Sequence, residues 1–281
     1  MLKSLKEKNN FIEITSFANP KIKLINKFLK DGSLRQESKI ILVDGKREIE
    51  EAIKAGWKIK EFFCSLEIIK EEKDIELANL FSKNSKVNYL LSKKIFDKIS
   101  YKKNPDGFLA ILESRFLKWE DLKIKKSPLV LILESVEKPG NLGAIIRTAY
   151  AAGVDLIILN DQKTDLYSPN VVRASTGFIF SMPIIVSSAL ETIEWCKKNN
   201  IKILATSLKA DKNHFEIDFR KGTGIVFGTE AFGLSNLWLN EKIDQVSIPM
   251  ISGVDSLNVS VSVGVIVYEA TRQRKYLKKI K

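Results

Sequence analysis

Apolar and polar positions fall in short blocks along the chain, and the blocks switch between strand-like runs and helical spacing. After the turn at Asn19-Pro20, KIKLINKFLKD predicts a short amphipathic helix. KIILVDG (39–45) reads as a strand, and KREIEEAIKAG (46–56) as a helix closed by Gly56 in a left-handed cap. KIKEFFCS (58–65) is the next strand. Residues 71–83 read as helix, 87–92 as extended, 93–100 as helix and 107–114 as strand. This alternation predicts a small α/β domain over residues 1–115. Residues 116–127 are charged, lack a strong period and read as a linker. A chain begun near Ser127 is therefore expected to fold by itself.

The second half, 128–281, alternates more regularly. LVLILE (129–134) is an unbroken apolar run, as a central parallel strand covered on both faces requires. Strands are predicted at 154–159, 182–187, 201–207, 223–228 and 244–249. Helices are predicted at 141–152, 169–175 and 189–199, in a short stretch near 235–241, and from about 257 onward. The predicted fold is a doubly wound parallel sheet, whose ligands sit at the carboxyl ends of the strands. In the last helix Val259, Val263, Ile266 and Val267 recur at the spacing of a buried face, and Ser260, Ser262 and Gly264 are small enough to let another backbone approach.

Charge adds a partner class. The net charge is +12, with 28 Lys and Arg against 19 Asp and Glu in residues 1–127 and 18 against 15 thereafter. Six of those 18 lie in Arg272–Lys281, so the surplus is concentrated in the first half and the tail. Such a surface attracts phosphate backbones without reading sequence. No apolar run reaches 18 residues, so no membrane span is predicted, and MLKSLKEKNN lacks the apolar stretch of a secretory signal. Two cysteines far apart, Cys64 and Cys196, are expected to be buried free thiols in a reducing, cytoplasmic compartment. With the single histidine His214, they make a His/Cys zinc site improbable, and no G-x-S-x-G elbow supports a serine hydrolase.

The polar residues of interest cluster just past predicted strand ends. In EKPGNLGAIIRTA, Pro139-Gly140 turns the chain, Asn141 is placed to cap the helix, and Arg147 sits two turns in among apolar neighbours. Arg147 is either a reactive cation or a stem reaching a surface salt bridge. Gly228 and Gly233 bracket a turn after TGIVF that can pass close to a ligand, with Glu230 inside it. Asp255, Ser256, Asn258 and Ser260 stand at the mouth of the last helix, where Ser256 or Asn258 can serve as cap. Ser168, Asn170, Arg173 and Ser175 form a further polar set. GTGIVFG lacks the spacing of a dinucleotide loop, and no G-K-[ST] follows the glycines of EKPGN.

Three stretches in order, EKPGNLGAIIRTAYAAGVD (137–155), IVFGTEAFGLS (225–235) and IPMISGVDSLNVSVSVGVIVYE (248–269), resemble the motifs of the SpoU/TrmH-type RNA 2′-O-ribose methyltransferases of the SPOUT superfamily. More loosely, the first half, with VDGKREIEEAIKAG near its start, resembles the ribosomal-protein-like substrate-binding domain that precedes such catalytic domains. The resemblance implies an α/β deep trefoil knot, a homodimer and S-adenosylmethionine as methyl donor, with no metal. It implies a catalytic set of Arg147, Asn141, Glu230, Ser256 and Asn258. It places the cofactor against Thr206, Ser207, Gly228, Ile248, Met250 and Leu257. The substrate implied is a ribose 2′-hydroxyl in RNA, in 23S ribosomal RNA first and transfer RNA second. A non-catalytic RNA-binding protein on the same fold is the alternative. Departures are small: the first motif has Lys138 before the proline where many relatives carry Asp, and Ser262 and Gly264 stand where alanines are common.

Overall fold

The computed structural model describes residues 10–229, 233–240 and 242–275. Its chain divides into two compact units. Unit 1 takes the chain up to Arg115 together with Asp165–Ser181, and unit 2 takes Phe116–Thr164 and the chain from Met182 on.

Unit 1 is built on a five-stranded sheet of β1 (Phe11–Ile14), β2 (Ile40–Asp44), β3 (Ile59–Cys64), β4 (Ser85–Leu91) and β5 (Phe108–Glu113), in the order β1-β4-β3-β5-β2. β1, β4 and β3 are parallel, and β5 runs antiparallel between β3 and β2. Period-two alternation separates its faces. Phe63 packs with Ile22, Ile25 and Phe28 of α1 (Pro20–Lys30) and with Ile95, Phe96 and Ile99 of α5 (Lys93–Ile99). Phe62, its neighbour in sequence, meets Phe81 of α4 (Glu72–Lys83) edge-on at 5.8 Å and Phe108 at 6.3 Å. The apolar pattern does not reveal β1 or the short α2 (Gly32–Glu37), because both are too short to repeat the period that would mark them. Gly56 adopts the left-handed conformation after α3 (Lys46–Lys54) that its position suggested.

Residues 165–181 belong to this unit although chain order puts them between two strands of the other. Asp165 pairs at 2.6 Å with the buried Arg35 of α2, whose other terminal nitrogen donates to the Phe28 carbonyl. Trp57 donates from Nε1 to the Phe180 carbonyl at 2.9 Å and meets the Phe180 and Tyr167 rings edge-on. α7 (Pro169–Ala174) lies against β2. A chain begun at Ser127 would carry this segment without the unit 1 surfaces it packs on.

Unit 2 is a six-stranded, wholly parallel sheet of β6 (Leu129–Glu134), β7 (Leu156–Asn160), β8 (Ile184–Ser187), β9 (Lys202–Thr206), β10 (Thr223–Phe227) and β11 (Asp244–Val246), in the order β11-β9-β10-β6-β7-β8. One face carries Val130, Ile132, Ile158 and Val226 under Ala189 and Cys196 of α8 (Ala189–Lys198). The alternate residues turn to the other face, where α6 (Pro139–Ala152) and α9 (Val259–Lys275) pack on each other. Residues 116–127 are not a bare linker: Trp119 stacks on Trp195 at 4.8 Å, and Leu122 packs on the same core. The helix predicted near 235–241 does not form among the described residues 235–240, which make a turn.

Gly177 tests the seating of the inserted segment. Its φ is +83°, and an added Cβ would lie 2.9 Å from Glu51 Cβ and 3.0 Å from Glu48 Cα. Gly177→Ala should cost about 1–3 kcal/mol of unit 1 stability. Denaturant unfolding followed by Trp57 fluorescence measures it, and an unchanged midpoint would show that the segment is loosely held.

Candidate active site

In a parallel sheet the carboxyl ends of all strands share one edge, and the polar residues of unit 2 collect there. Glu134 closes β6 and is buried. A carboxylate inside an apolar core must be matched by donors. Glu134 accepts from Ser235 N at 2.8 Å, Ser235 Oγ at 2.7 Å and Trp238 Nε1 at 3.0 Å. These bonds aim the backbone of 235–238 at the carboxylate, so the segment turns instead of continuing as a helix. Asn160 closes β7 and donates to the Ser187 carbonyl and Thr192 Oγ1, both at 2.8 Å. Thr164 Oγ1 donates to the Val136 and Glu137 carbonyls and fixes the loop that enters α6.

The turn after β10 is closed by Thr229 N to Gly233 O at 3.0 Å and Gly233 N to Thr229 O at 3.2 Å. The Gly233 carbonyl occupies the place a Cβ on Gly228 would take, so only glycine fits at 228. Glu230, inside this turn, lies outside the described residues. Beyond β9, Ser207 N donates to the Val246 carbonyl at 3.0 Å, and Thr206 Oγ1 donates to the Val226 carbonyl at 2.8 Å. His214 N and Ser247 O then extend the β11 edge by one bridge.

Between these strand ends and the start of α9 lies a cleft of about 610 Å³. Thr206, Ser207, Gly228, Ile248, Met250 and Leu257 all line it. Ser256 lines it as well, and Val259, Ile266 and Leu239 supply apolar wall. The volume is that of a pocket for a ligand of drug size, with backbone groups at strand ends and apolar side chains between them. That combination suits a nucleoside carrying an aliphatic sulfonium side chain, which fits S-adenosylmethionine. Among the described residues no three His, Cys, Asp or Glu side chains converge on a possible metal position.

α6 and α9 lie side by side with their N-termini together. Asn258 Nδ2 donates to Asn141 Oδ1 at 3.3 Å, and Thr271 Oγ1 near the other end donates to the Ala152 carbonyl at 3.0 Å. Asn258 is the cap of α9, since its Oδ1 accepts from Ser260 N at 2.9 Å. Asn141 is not the cap of α6. Pro139 takes the first helical position, which places Asn141 in the third and turns its amide to Asn258. Gly264 is not required for close packing either, because a Cβ there would meet only the Thr148 methyl at 3.9 Å. Arg147 stands exposed on α6 and does not line the cleft. Ser168, Asn170, Arg173 and Ser175 sit on and around α7 in unit 1; Ser168 caps that helix, and Arg173 is exposed. Sequence reasoning missed Glu134 and Trp238 altogether. The one available signal was a charged residue ending an otherwise unbroken apolar run.

Residues 128–268 match the SpoU rRNA Methylase family, and residues 19–110 match the MRM3-like substrate binding domain. A solved RNA 2′-O ribose methyltransferase is similar over 94% of this chain and 99% of its own, with 35% identity and a TM-score of 0.80. An AdoMet-bound rRNA methyltransferase from Sinorhizobium meliloti is similar over 93% and 98%, with 29% identity and a TM-score of 0.83. The 23S rRNA (guanosine(2553)-2′-O)-methyltransferase RlmP of Bacillus subtilis is 27% identical over 91% of this chain and 98% of its own.

Glu134→Gln keeps the shape of the side chain but gives up one of its two acceptor oxygens. It should lower the unfolding free energy by about 1–3 kcal/mol and shift Trp238 emission. An unchanged unfolding curve would remove Glu134 as the anchor of Ser235 and Trp238.

Proposed function

Because this chain belongs to the SpoU rRNA methylase family, we propose that it methylates the 2′-hydroxyl of a ribose in RNA, with 23S ribosomal RNA as the preferred substrate and transfer RNA the second candidate. The observation that carries this reading is the cleft at the strand ends of unit 2, where every position expected to touch the cofactor meets in one wall. Bound there, S-adenosylmethionine would supply the methyl group of its sulfonium; transfer to the ribose oxygen would break the sulfur–methyl bond, release S-adenosylhomocysteine and give the hydroxyl proton to solvent. The residues of this chain then have three tasks.

The first task is holding the donor: Thr206, Ser207, Gly228, Ile248, Met250 and Leu257 surround it, largely through backbone and apolar contact. The second is placing the acceptor, which falls to Asn141, Ser256 and Asn258 around the paired helix N-termini, and Glu230 is assigned to the same task from its motif. The third is managing charge. A guanidinium keeps its proton, so Arg147 acts best by stabilising the developing alkoxide or gripping the adjacent phosphate. Base methylation is disfavoured because the set offers one cation, one acid and small polar groups, with no aromatic platform for a flipped base.

A homodimer is part of the same reading. Arg147 and Tyr150 lie one turn apart on the exposed side of α6, and Val261 and Tyr268 are exposed on α9. A second copy laid over these helices would cover the apolar side chains and enclose Arg147. The trefoil knot of the family and a cytoplasmic location go with the assignment. In unit 1, RNA affinity is ascribed to the edge where β2, β3 and β4 end. Arg47, Lys93 and Lys94 are exposed in the first turns of α3 and α5, and Lys70 and Lys103 in the loops there, and none has an ion-pair partner among the described residues. Asp74, Glu48 and Asp106 are engaged instead by Lys46 and Lys102.

Two experiments test these assignments. Arg147→Ala should abolish methyl transfer and leave S-adenosylhomocysteine affinity within about threefold, since the pocket walls lie elsewhere; a target RNA bearing a 2′-deoxyribose at the modified nucleotide should accept no label. Normal turnover of the variant, or label in a base, would defeat the reading. Replacing Lys93, Lys94 and Lys103 together by alanine should weaken RNA binding and flatten its salt dependence, by roughly 0.7–0.9 in log–log slope for each phosphate no longer neutralised. An identical slope would place the RNA elsewhere.

A further inference from the structure

Two charged residues in the cleft have no ion-pair partner among the described residues. Lys209 is the one cation among the described residues lining it, and Asp255 the one carboxylate. They stand on separate segments. Lys209 is in the turn just past β9, where its backbone N–H donates to Ser207 Oγ at 3.2 Å and Ala210 N donates to the Ser207 carbonyl. Asp255 is in the loop that enters α9, after Gly253 at φ +89°. Neither side chain forms an ion pair with the other or with any described residue, although nearby opposite charges on a folded surface ordinarily do, as Lys202 and Asp244 do at the far ends of their strands.

Leu239, Leu257, Val259 and Ile266 can cover a purine and the carbons around a sulfonium, but they cannot match the amino-acid end, which carries a carboxylate and an ammonium group; the hydroxyls of the wall, Ser207 and Ser256 among them, are neutral partners only. Thr206 Oγ1, at the end of β9, already donates to the Val226 carbonyl. We propose that Lys209 and Asp255 form a clamp for the zwitterionic amino-acid moiety of the cofactor, Lys209 receiving its carboxylate and Asp255 its ammonium. Separate attachment to two segments explains why the two charges do not neutralise each other: the ligand completes the pair. Charge-assisted hydrogen bonds of this kind add orientation as well as affinity. The clamp rests on the cofactor reading of this cleft and adds two residues to it.

Calorimetric titration of the full-length protein with four ligands separates the parts. S-adenosylhomocysteine carries both charges and no sulfonium; its decarboxylated form lacks the carboxylate, its deaminated form lacks the ammonium, and 5′-methylthioadenosine lacks both. Lys209→Ala should weaken S-adenosylhomocysteine about tenfold while leaving the decarboxylated form and 5′-methylthioadenosine within about twofold; Asp255→Asn should do the same with the deaminated form as the insensitive ligand. Lys209→Arg, which keeps the charge, should retain most of the affinity. Equal losses for every ligand, or no loss for any, would overturn the clamp. So would a loss confined to RNA binding, which would make Lys209 a phosphate contact. If the unaltered protein bound none of the four, the cofactor reading of the cleft would fall, and the clamp with it.

Discussion

A carboxylate cannot stay in an apolar interior unless donors reach it, and Glu134 makes that constraint the organising fact of unit 2. It closes the central strand run, where the preceding side chains are aliphatic and buried. Ser235 and Trp238 come to it from a segment 101 to 104 residues away in sequence. Once they are bound there, Ser235 and Trp238 are tied to the end of β6. The Gly228 turn must fold back on itself, Trp238 fills the core beneath, and the floor of the cleft is set. The cost of an unmatched buried charge, several kcal/mol, is what makes this arrangement single-valued.

The opposite wall is set by α9. Apolar burial of Val263, Ile266, Val267 and Ala270 supplies the bulk of its adhesion, at roughly 25 cal/mol per Å² of surface removed from water. Direction comes from polar bonds at its far end. Gln273 accepts from Phe219 N and donates to the Ile217 carbonyl, while Arg274 donates to the carbonyls of Ser127, Pro128 and Lys221. Burial pushes the Arg274 guanidinium below its usual pKa, and the three carbonyls compensate the lost water. A helix fixed at its C-terminal end in this way presents its N-terminus, with the Asn258 cap, at a defined place beside Asn141.

The regular parts were legible in the sequence. The apolar run 129–134 and the helical spacing of Val259 through Val267 are long, repeated signals, and both elements form where those signals stand. The ordered motifs placed six positions that do converge on one cleft. What stayed hidden depended on contacts distant in sequence. Asn141 looks like a cap because asparagine favours that position; proline's preference for the first helical position marks Pro139 as the start, but nothing local announces that Asn258 lies opposite. The stretch 235–240 has helical composition, but Glu134 outcompetes its local preference. Lys209 is an ordinary surface charge, and Asp255 one member of the polar cluster before α9, until the fold sets both on one cleft. α7 reads as one more crossover of a parallel sheet, and only the Arg35–Asp165 pair and the Trp57 contacts reveal that it packs with unit 1.

That inserted segment governs the order in which the protein can be made. The backbone crosses between the units three times, after Arg115, Thr164 and Ser181. A chain emerging from its N-terminus reaches Arg115 with the five strands of unit 1 complete, yet with Arg35 still lacking its acid and Trp57 lacking its acceptor. Those groups are satisfied only when Asp165 and Phe180 have been synthesised, several seconds later at the usual pace of translation of about 5–20 residues per second. Through that interval the first strands of unit 2 are also present without their covering helix α9. Unit 1 is therefore completed by a segment made only after the first strands of unit 2, which ties the completion of one unit to the progress of the other on the ribosome.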